Sequence, residues 1–185
     1  MLSGRNFDLA KMKILIMSDS HGADLNMQKA INQFGEMDML IHLGDIEGGA
    51  DYLRAIAPCD PDNVYIVRGN CDYDYSLPGD QIIDICGFKV LLTHGHHHYV
   101  APFEGGSDQL RQFAEDNECD IAMFGHIHVP VIDTTSKCTL LNPGSISRPR
   151  QSDRKKTFMR MEIDDKGLPH YSLGEINDRI GSFFK

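Results

Sequence analysis

Side chains that can bind metal ions follow five short apolar segments of this chain. In chain order they are Asp19, His21, Asp45, Asn70, His94, His126 and His128. Carboxylate and amide oxygens and imidazole nitrogens are ligands that divalent first-row metals accept. Seven such ligands are enough for two ions if one carboxylate bridges them. Two ions roughly 3.5–4 Å apart form a clamp for in-line attack on phosphorus, so this donor set predicts phosphoryl chemistry.

Asp19 and His21 lie two and four residues after the apolar run 14–17, which is typical of a strand buried on both faces. Because they are two residues apart, their side chains point to the same side of an extended segment and could bind one ion. In the alternative interpretation, Asp19 caps the following helix and His21 lies in a loop. This segment alone favours neither, but the repeated placement of donors after apolar strands favours the metal site.

The first half of the chain alternates apolar strands with amphipathic helices. Strands are predicted at 14–17, 38–43 and 64–67, and helices at 23–34 and 50–57. The first helix has Leu25, Ala30, Ile31 and Phe34 at helical spacing. This order is typical of a largely parallel sheet with right-handed crossovers. Ligands of such sheets bind beyond the carboxyl ends of the strands, where the first four donors fall.

The second half contains mainly strands. They are predicted at 81–86, 88–93, 120–124, 131–134, 138–141, 157–163 and 171–173, with a hairpin around Gly87. A helix at 107–117 is expected to place Leu110 and Phe113 inward. The three remaining histidine donors follow the strands at 88–93 and 120–124. Two packed sheets with helices on the outside fit this order better than one long sheet.

Length and composition indicate one soluble globular domain, which we place at 13–185 of the 185 residues. Residues 1–12 are interpreted as an N-terminal extension, with translation from Met12 as a hypothesis that the intact mass would test. The net charge of −9 argues against non-specific binding to nucleic acid or acidic membranes. The five cysteines form no C-x-x-C pair, and we find neither a membrane-length apolar run nor a secretory signal, so we expect a reducing cytoplasm.

The donors lie within motifs that resemble those of the calcineurin-like metallophosphoesterases. These motifs are Asp19-Ser20-His21, Gly44-Asp45, Gly69-Asn70-Cys71-Asp72, Thr93-His94-Gly95-His96 and Gly125-His126-Ile127-His128. The short length, the Gly-Asn-Cys-Asp variant and Asn142-Pro143-Gly144-Ser145 look most similar to the small prokaryotic YfcE-like phosphodiesterases. The resemblance covers the chain from about Met12 onward. It implies an α/β fold, a four-layer αββα sandwich of two mixed β-sheets flanked by helices.

The resemblance also implies which residues bind each of two metal ions. The first ion is expected to bind Asp19, His21, Asp45 and His128, and the second Asp45, Asn70, His94 and His126. Mn²⁺ is the expected metal, with iron, zinc or nickel as alternatives, because a ligand set without thiolate does not choose among them. A water that bridges the ions has its pKa lowered toward ~7, and the resulting hydroxide attacks phosphorus in line.

Cys71 departs from the pattern of many relatives, which have histidine after the Gly-Asn pair, where it can protonate the leaving group. A thiol is a poor general acid near pH 7, so we expect good leaving groups or a replacement, for which His96 is the candidate. A nucleophilic role for Cys71 has less support because no base partner is evident. Asn70, Cys71 and His96 are therefore the predicted catalytic and substrate-contacting residues, and Arg68 is either a further substrate contact or part of a structural ion pair.

These features predict a dinuclear metal-dependent phosphoesterase, most simply a phosphodiesterase, that acts on a small-molecule phosphate ester. The alternatives are a phosphomonoesterase or nucleotidase, and a protein-binding scaffold of the same fold, as in the retromer subunit. All seven ligand positions are present, which a scaffold does not need. The resemblance implies a homodimer. For Arg148 and Arg150, a solvated surface is slightly favoured over a role in adding positive charge to the cleft rim.

Overall fold

The strands and helices follow the order that the apolar pattern predicts. The computed structural model describes residues 11–103 and 105–177. The strands of this part of the chain are β1 Met12–Met17, β2 Met39–His42, β3 Val64–Ile66, β4 Asp80–Ile85, β5 Phe88–Thr93, β6 Ile121–Met123, β7 Pro130–Asp133, β8 Thr139–Pro143, β9 Thr157–Ile163 and β10 Pro169–Glu175. Its α-helices are α1 Asp24–Phe34, α2 Ala50–Ile56 and α3 Asp108–Asp116. Most of the predicted N-terminal extension, residues 1–10, lies outside the described residues, and Met12 already belongs to β1.

The strands form two mixed five-stranded sheets. The first has the order β10-β9-β1-β2-β3, in which β1, β2 and β3 are parallel and β9 and β10 are antiparallel to their neighbours. The second has the order β4-β5-β6-β8-β7, in which β5, β6 and β8 are parallel. Parallel strands in the middle of each sheet align their carboxyl ends at one edge, so the loops that follow them can meet there.

Alternation along β1 explains why the sheets pack face to face. Ile14 and Ile16 are buried in a cluster with side chains of β5 and β6 from the other sheet. Leu15 points to the opposite face and packs with residues of α1 and α2, because neighbouring residues of a strand face opposite sides. Helix α3 covers the outer face of the second sheet through Leu110 and Ala114. The layers are therefore α, β, β and α, which confirms the predicted sandwich.

Two apolar residues do not lie where helical spacing predicts them. The inward prediction for Phe113 is wrong: this side chain is 37% exposed, and its ring lies 4.5 Å from that of His98. The sheet-facing line of α3 runs instead through Leu110 and Ala114, which are four residues apart and share one helix face. Leu25 lies in the first turn of α1 and is 62% exposed, so its place in the apolar face of that helix is also wrong.

The hairpin between β4 and β5 turns through two residues, Cys86 and Gly87. Their φ values are 51° and 89°, and positive φ at both central positions is the requirement of a type I′ turn. The turn therefore contains one residue more than the glycine that marks it in the sequence. Among the helices of the described residues, none has the length and apolar character needed to cross a membrane.

Candidate metal centre

The loops that follow β1, β2, β5 and β6 are fastened to one another at one edge of the two sheets. The backbone N–H of Asp19 donates to the carbonyl of Gly44 at 3.0 Å, which joins the loops after β1 and β2. Gly125 N–H donates to the carbonyl of His94 at 3.2 Å, which joins the loops after β6 and β5. The two sheets are connected where the backbone N–H of His126 donates to Asp19 Oδ2 at 3.1 Å. Donors that are more than 100 residues apart are thereby brought together.

Four of the predicted ligands form a tight group, here called the first donor group: Asp19, His21, Asp45 and His128. Each offers one ligand atom within 4.8 Å of all the others. His128 Nε2 is 3.1 Å from Asp19 Oδ1 and 3.4 Å from His21 Nε2. His21 Nε2 is also 3.8 Å from Asp45 Oδ2. These are the four residues that the family resemblance predicts for one ion.

The second donor group comprises Asp45, Asn70, His94 and His126. His94 Nε2 is 3.4 Å from Asp45 Oδ1 and 3.2 Å from Asn70 Oδ1. The ring of His126 lies edge-on to that of His94, with centroids 5.2 Å apart. Asp45 therefore turns Oδ2 toward His21 and Oδ1 toward His94, and this is how a carboxylate that bridges two ions would be oriented.

Hydrogen bonds at the far side of the imidazole rings determine which nitrogen faces the site. His94 Nδ1 is 2.7 Å from the carbonyl of Leu43, and His128 Nδ1 is 2.6 Å from the carbonyl of Arg148. Because a carbonyl only accepts, Nδ1 must carry the hydrogen in both neutral rings. In both rings Nε2 points into the donor groups and can bind a cation once it is unprotonated, as in metal-binding histidines. Burial lowers the pKa of His94, but the carboxylates of Asp45 and Asp19 outweigh burial and raise it. Glu47 Oε1 lies 2.6 Å from Nδ1 of His21 and orients that ring in the same way.

Burial and backbone strain both indicate that the donors fit a cation. Asp19 is fully buried, and its Oδ1 has no assigned hydrogen-bond partner among the described residues, although His128 Nε2 lies 3.1 Å away. An unsatisfied carboxylate oxygen in a protein interior is costly, and a bound cation would satisfy it. Five ligand residues have φ between 46° and 68°, a region that non-glycine residues rarely adopt: Asp19, His21, Asp45, His126 and His128. Strain of this kind clusters at functional sites, and the mixed oxygen and nitrogen donors suit divalent ions.

The two carboxyl ligands are charged at neutral pH despite their burial. Burial raises the pKa of Asp19, but the nearby imidazoles of His128 and His94 outweigh this effect and hold the pKa below its usual value. Burial opposes ionisation of Asp45 as well, yet the His94 ring and the Cys71 N–H hold its pKa well below the usual range. Both residues can therefore offer anionic oxygens to a cation.

Residues that hold the ligand loops in place escaped the sequence analysis. The buried carboxylate of Asp72 accepts hydrogen bonds from the backbone N–H of Asp45 at 2.8 Å and of Gly69 at 2.7 Å. It therefore joins the loop after β3 to the loop after β2. Ser145 Oγ, in the Asn-Pro-Gly-Ser turn, donates to the carbonyl of Asp19 at 2.8 Å. The sequence signal that could have identified them is their position inside two of the family motifs, because Asp72 ends Gly-Asn-Cys-Asp and Ser145 ends Asn-Pro-Gly-Ser.

Comparison with known proteins decides the family of this chain. Residues 12–166 match the family model described as the calcineurin-like phosphoesterase superfamily domain. A relative from Methanocaldococcus jannaschii, named probable metallophosphoesterase, is 33% identical over 84% of this chain and 78% of its own length. The chain belongs to the calcineurin-like phosphoesterase superfamily.

The similar proteins include one named as a phosphodiesterase, one described as a predicted phosphoesterase, and Vps29, whose description names no enzymatic activity. Phosphodiesterase YfcE of Escherichia coli strain K12 is 27% identical over 75% of this chain and 82% of its own length. The solved structure of a predicted phosphoesterase from Streptococcus pneumoniae aligns with a TM-score of 0.67 at 28% identity, over 90% of this chain and 98% of its own. Zinc-bound Vps29 from Entamoeba histolytica aligns with a TM-score of 0.65 at 24% identity, over 90% of this chain and all of its own, which shows a shared fold.

Cys71 and His96 lie beside the donor groups. The backbone N–H of Cys71 donates to Asp45 Oδ1 at 2.8 Å, and burial together with Asp45 raises the pKa of the thiol to about 11. The His96 ring lies 5.4 Å from that of His94, and burial with the neighbouring histidines lowers its pKa to about 4. At neutral pH the thiol is therefore protonated and the imidazole neutral. This argues against a thiolate nucleophile and against His96 as a cationic acid, while a substrate contact by either stays a prediction.

Arg68 turns away from the donors. Its guanidinium lies over the Tyr75 ring, 4.8 Å from the ring centre. It is absent from the lining of the two cavities that contain Asn70 and Cys71. Its proposed contact with substrate therefore stays a prediction that the side-chain position does not favour.

His42 gives a prediction about pH and stability. Its ring is fully buried in β2, with Nε2 3.1 Å from Ser20 Oγ and Nδ1 without a partner among the described residues. Burial lowers its pKa from 6.5 to about 4. Between these values the unfolded chain binds a proton that the folded chain does not. The free energy of unfolding should therefore fall as the pH drops from 6.5 to 4, by about 3 kcal/mol in total from this residue.

The measurement is urea unfolding of the metal-free protein at several pH values, for wild type and His42→Gln. We expect the difference in unfolding free energy between the two proteins to shrink steadily below pH 6.5, because only wild type carries this titration. Asn32→Gln, which replaces an exposed residue of α1 and changes no titratable group, serves as control and should run parallel to wild type. Parallel curves for wild type and His42→Gln would contradict the prediction.

Proposed function

We propose that this chain is a dinuclear metal-dependent phosphodiesterase. The first donor group would hold one ion and the second donor group the other, with Asp45 shared and Mn²⁺ as the preferred metal. The observation that carries the proposal is the orientation of Asp45, whose two oxygens face different donor groups at 3.8 and 3.4 Å. When bound, such ions lower the pKa of water and neutralise charge on the phosphoryl oxygens.

The residues of the chain contribute by holding donors and protons in fixed places. Leu43 and Arg148 accept the Nδ1 hydrogens of His94 and His128, which leaves Nε2 as the ring nitrogen that is aimed at the site. Cys71 contributes an N–H to Asp45 and a neutral thiol, so it adds no negative charge where an anionic substrate must bind. His96 offers a neutral ring whose buried Nδ1 has no partner within the described part of the chain and can accept a hydrogen bond from substrate or water.

Two cavities that meet at the donor groups support a diester as substrate. One, of about 640 Å³, lies between the loops after β2 and β3, and the other, of about 380 Å³, lies between the donor groups and the loop at 148–154. Asn70 and Cys71 line both. A phosphodiester has two ester arms, one for each cavity, whereas a monoester would leave one cavity without an occupant. The relative named phosphodiesterase YfcE supports the same choice.

The alternatives have weaker support. A phosphomonoesterase or nucleotidase would use the same donors but does not explain two cavities. A protein-binding scaffold is an alternative because Vps29 shares the fold, but protein binding does not require all seven donors to be present at the strand ends. We also propose that the protein acts on a small molecule in the cytoplasm, where its five free cysteines would stay reduced, and that it forms a homodimer.

The test is hydrolysis of bis(p-nitrophenyl) phosphate and of p-nitrophenyl phosphate by the purified protein, with Mn²⁺ or with EDTA. We expect chelation to lower the rate on the diester by at least about 10²-fold and added Mn²⁺ to restore it, because the water is activated only when metal is bound. We also expect kcat/KM for the diester to exceed that for the monoester. Faster hydrolysis of the monoester would favour the phosphomonoesterase, and no turnover with Mn²⁺, Fe²⁺, Zn²⁺ or Ni²⁺ would favour the scaffold.

A further inference from the structure

The 380 Å³ cavity, here called the arginine cavity, has two walls of different chemistry. One wall belongs to the donor groups and includes His126 and His128. The opposite wall consists of Arg148, Pro149, Arg150 and Arg154, from the loop that precedes β9. Three guanidinium groups therefore line the same space as the metal-binding donors, in a chain whose net charge is −9.

Within the described residues, none of these three arginines forms an ion pair with a carboxylate. Arg150 Nη1 is 3.5 Å from the carbonyl of His126, and Arg154 Nη1 is 3.0 Å from the carbonyl of Pro149. The guanidinium of Arg148 makes no hydrogen bond to another described residue. Arginine presents up to five N–H donors in a fork that matches phosphate or carboxylate oxygens. Most of these donors are available to a ligand.

Backbone contacts hold this loop at a fixed position relative to the donors. The carbonyl of Arg148 accepts the hydrogen of His128 Nδ1 at 2.6 Å, and Arg150 N–H donates to the carbonyl of His128 at 3.0 Å. Arg148 N–H also donates to Ser145 Oγ at 2.8 Å, and the same hydroxyl binds the Asp19 carbonyl. The arginine wall is therefore attached directly to the first donor group, so its side chains can reach a ligand that the donors hold.

The 640 Å³ cavity on the other side of Asn70 and Cys71 has the opposite charge. Its lining includes the acidic residues Glu47, Asp51 and Asp74. An anionic ester arm would be repelled there and attracted by the arginine cavity. The charge of each ester arm would therefore determine which of the two cavities that arm occupies.

Resting on the proposed function, we infer that the substrate is a phosphodiester with a second phosphate on one ester arm, and that this phosphate binds Arg148, Arg150 and Arg154. The charged group on this arm is better matched as a phosphate dianion than as a carboxylate, because three guanidinium groups supply more positive charge than a single carboxylate would neutralise. The other arm is uncharged or cationic and occupies the acidic cavity. The cavity volume suits an arm of nucleoside size or smaller, since small-molecule sites measure about 300–1,000 Å³.

The test compares two esters that differ only by the second phosphate: thymidine 5′-(p-nitrophenyl phosphate) and the same ester with a 3′-phosphate. Hydrolysis of either breaks the phosphorus–aryl oxygen bond and releases p-nitrophenol, with water supplying the hydroxyl. We expect wild type with Mn²⁺ to favour the 3′-phosphorylated ester by about tenfold or more in kcat/KM at low salt. The preference should shrink as ionic strength rises, because the arginines are exposed and screened.

Arg148→Gln is the variant of choice, because it removes a guanidinium that holds no other part of the structure. We expect it to lower the preference ratio severalfold, and the double variant Arg148→Gln/Arg154→Gln to bring the ratio close to one. Lys166→Gln is the control with the same change in charge. Lys166 lies in the turn after β9, and the end of β9 pairs with the start of β1. This turn is therefore at the edge of the sheet opposite the donors. The control should keep the wild-type ratio.

The outcomes separate the two proposals. If wild type hydrolyses both esters with a ratio near one, or if Arg148→Gln and Lys166→Gln change the ratio equally, the second-phosphate site is overturned while the phosphodiesterase stands. If neither ester releases p-nitrophenol with any of the divalent metals, the proposed function fails and the inference with it.

Discussion

Asp45→Asn is expected to lower diester hydrolysis by about 10³-fold or more while leaving the protein folded. Asparagine has nearly the shape of aspartate, and its Oδ1 can still accept the Cys71 N–H that bonds Asp45 at 2.8 Å. It cannot carry a negative charge, however, and its NH₂ group must face one of the two donor groups. An amide nitrogen with two hydrogens does not bind a cation, so one ion loses a ligand and the other loses charge.

The measurement combines kcat/KM on bis(p-nitrophenyl) phosphate with metal content by mass spectrometry after dialysis. We expect wild type to retain two Mn²⁺ per chain, Asp45→Asn one or none, and the unfolding midpoint of the metal-free proteins to differ little. Asp165→Asn removes the same charge from an exposed turn and should match wild type in all three measurements. Wild-type metal content together with wild-type activity in Asp45→Asn would refute the bridging role.

The place of the candidate ligands at the strand ends could be predicted from the sequence, because each depends on a local pattern of residues. An apolar run of four to six residues predicts a buried strand, and the polar motif that follows it must lie at the strand end. That local rule places Asp19, Asp45 and His94 without any knowledge of their contacts. The family motifs then assign the donors to two ions. The structure brings the first donor group together, and the binding of two ions stays a prediction.

The contacts that orient the ligands could not be predicted, because they join residues far apart in the chain. His94 is oriented by the carbonyl of Leu43, 51 residues earlier, and a carbonyl has no sequence signature. The surroundings of Arg148 and Arg150 could not be predicted from the sequence either, because they depend on residues from other loops. The sequence slightly favours a solvated surface, whereas the fold places both exposed side chains on a wall that faces the donors. Phe113 shows the limit of periodicity, which cannot tell which side of a short helix faces the sheet.

Gly69→Ala is expected to destabilise the protein and to remove its metal site together. A Cβ at position 69 would overlap Asp45 Oδ1 and the backbone nitrogen of Asp45. A rotation of the Asp45 side chain could relieve the first contact but not the second, because the second atom belongs to the backbone. The loops after β2 and β3 must therefore move apart, and we expect a loss of about 3 kcal/mol in unfolding free energy.

Gly79→Ala is the matched control, since a Cβ there meets no atom closer than Arg68 Nη2 at 4.0 Å. It should change stability by less than about 1 kcal/mol and leave metal content and activity at wild-type values. The measurements are urea unfolding of the metal-free proteins, Mn²⁺ content and diester hydrolysis. Full metal content in a folded Gly69→Ala protein would contradict the close approach of these two loops.

Comparing Gly69→Ala with Asp45→Asn separates what the backbone contributes from what the charge contributes. Asp72 binds the N–H groups of both Gly69 and Asp45, so a displacement at position 69 also disturbs the hydrogen bond that positions Asp45. In Gly69→Ala the carboxylate is present but misplaced, whereas in Asp45→Asn the position is kept and the charge is lost. Loss of metal in both, with loss of stability only in Gly69→Ala, would mean that the site needs Asp45 to be charged and also held where the Gly69 backbone passes.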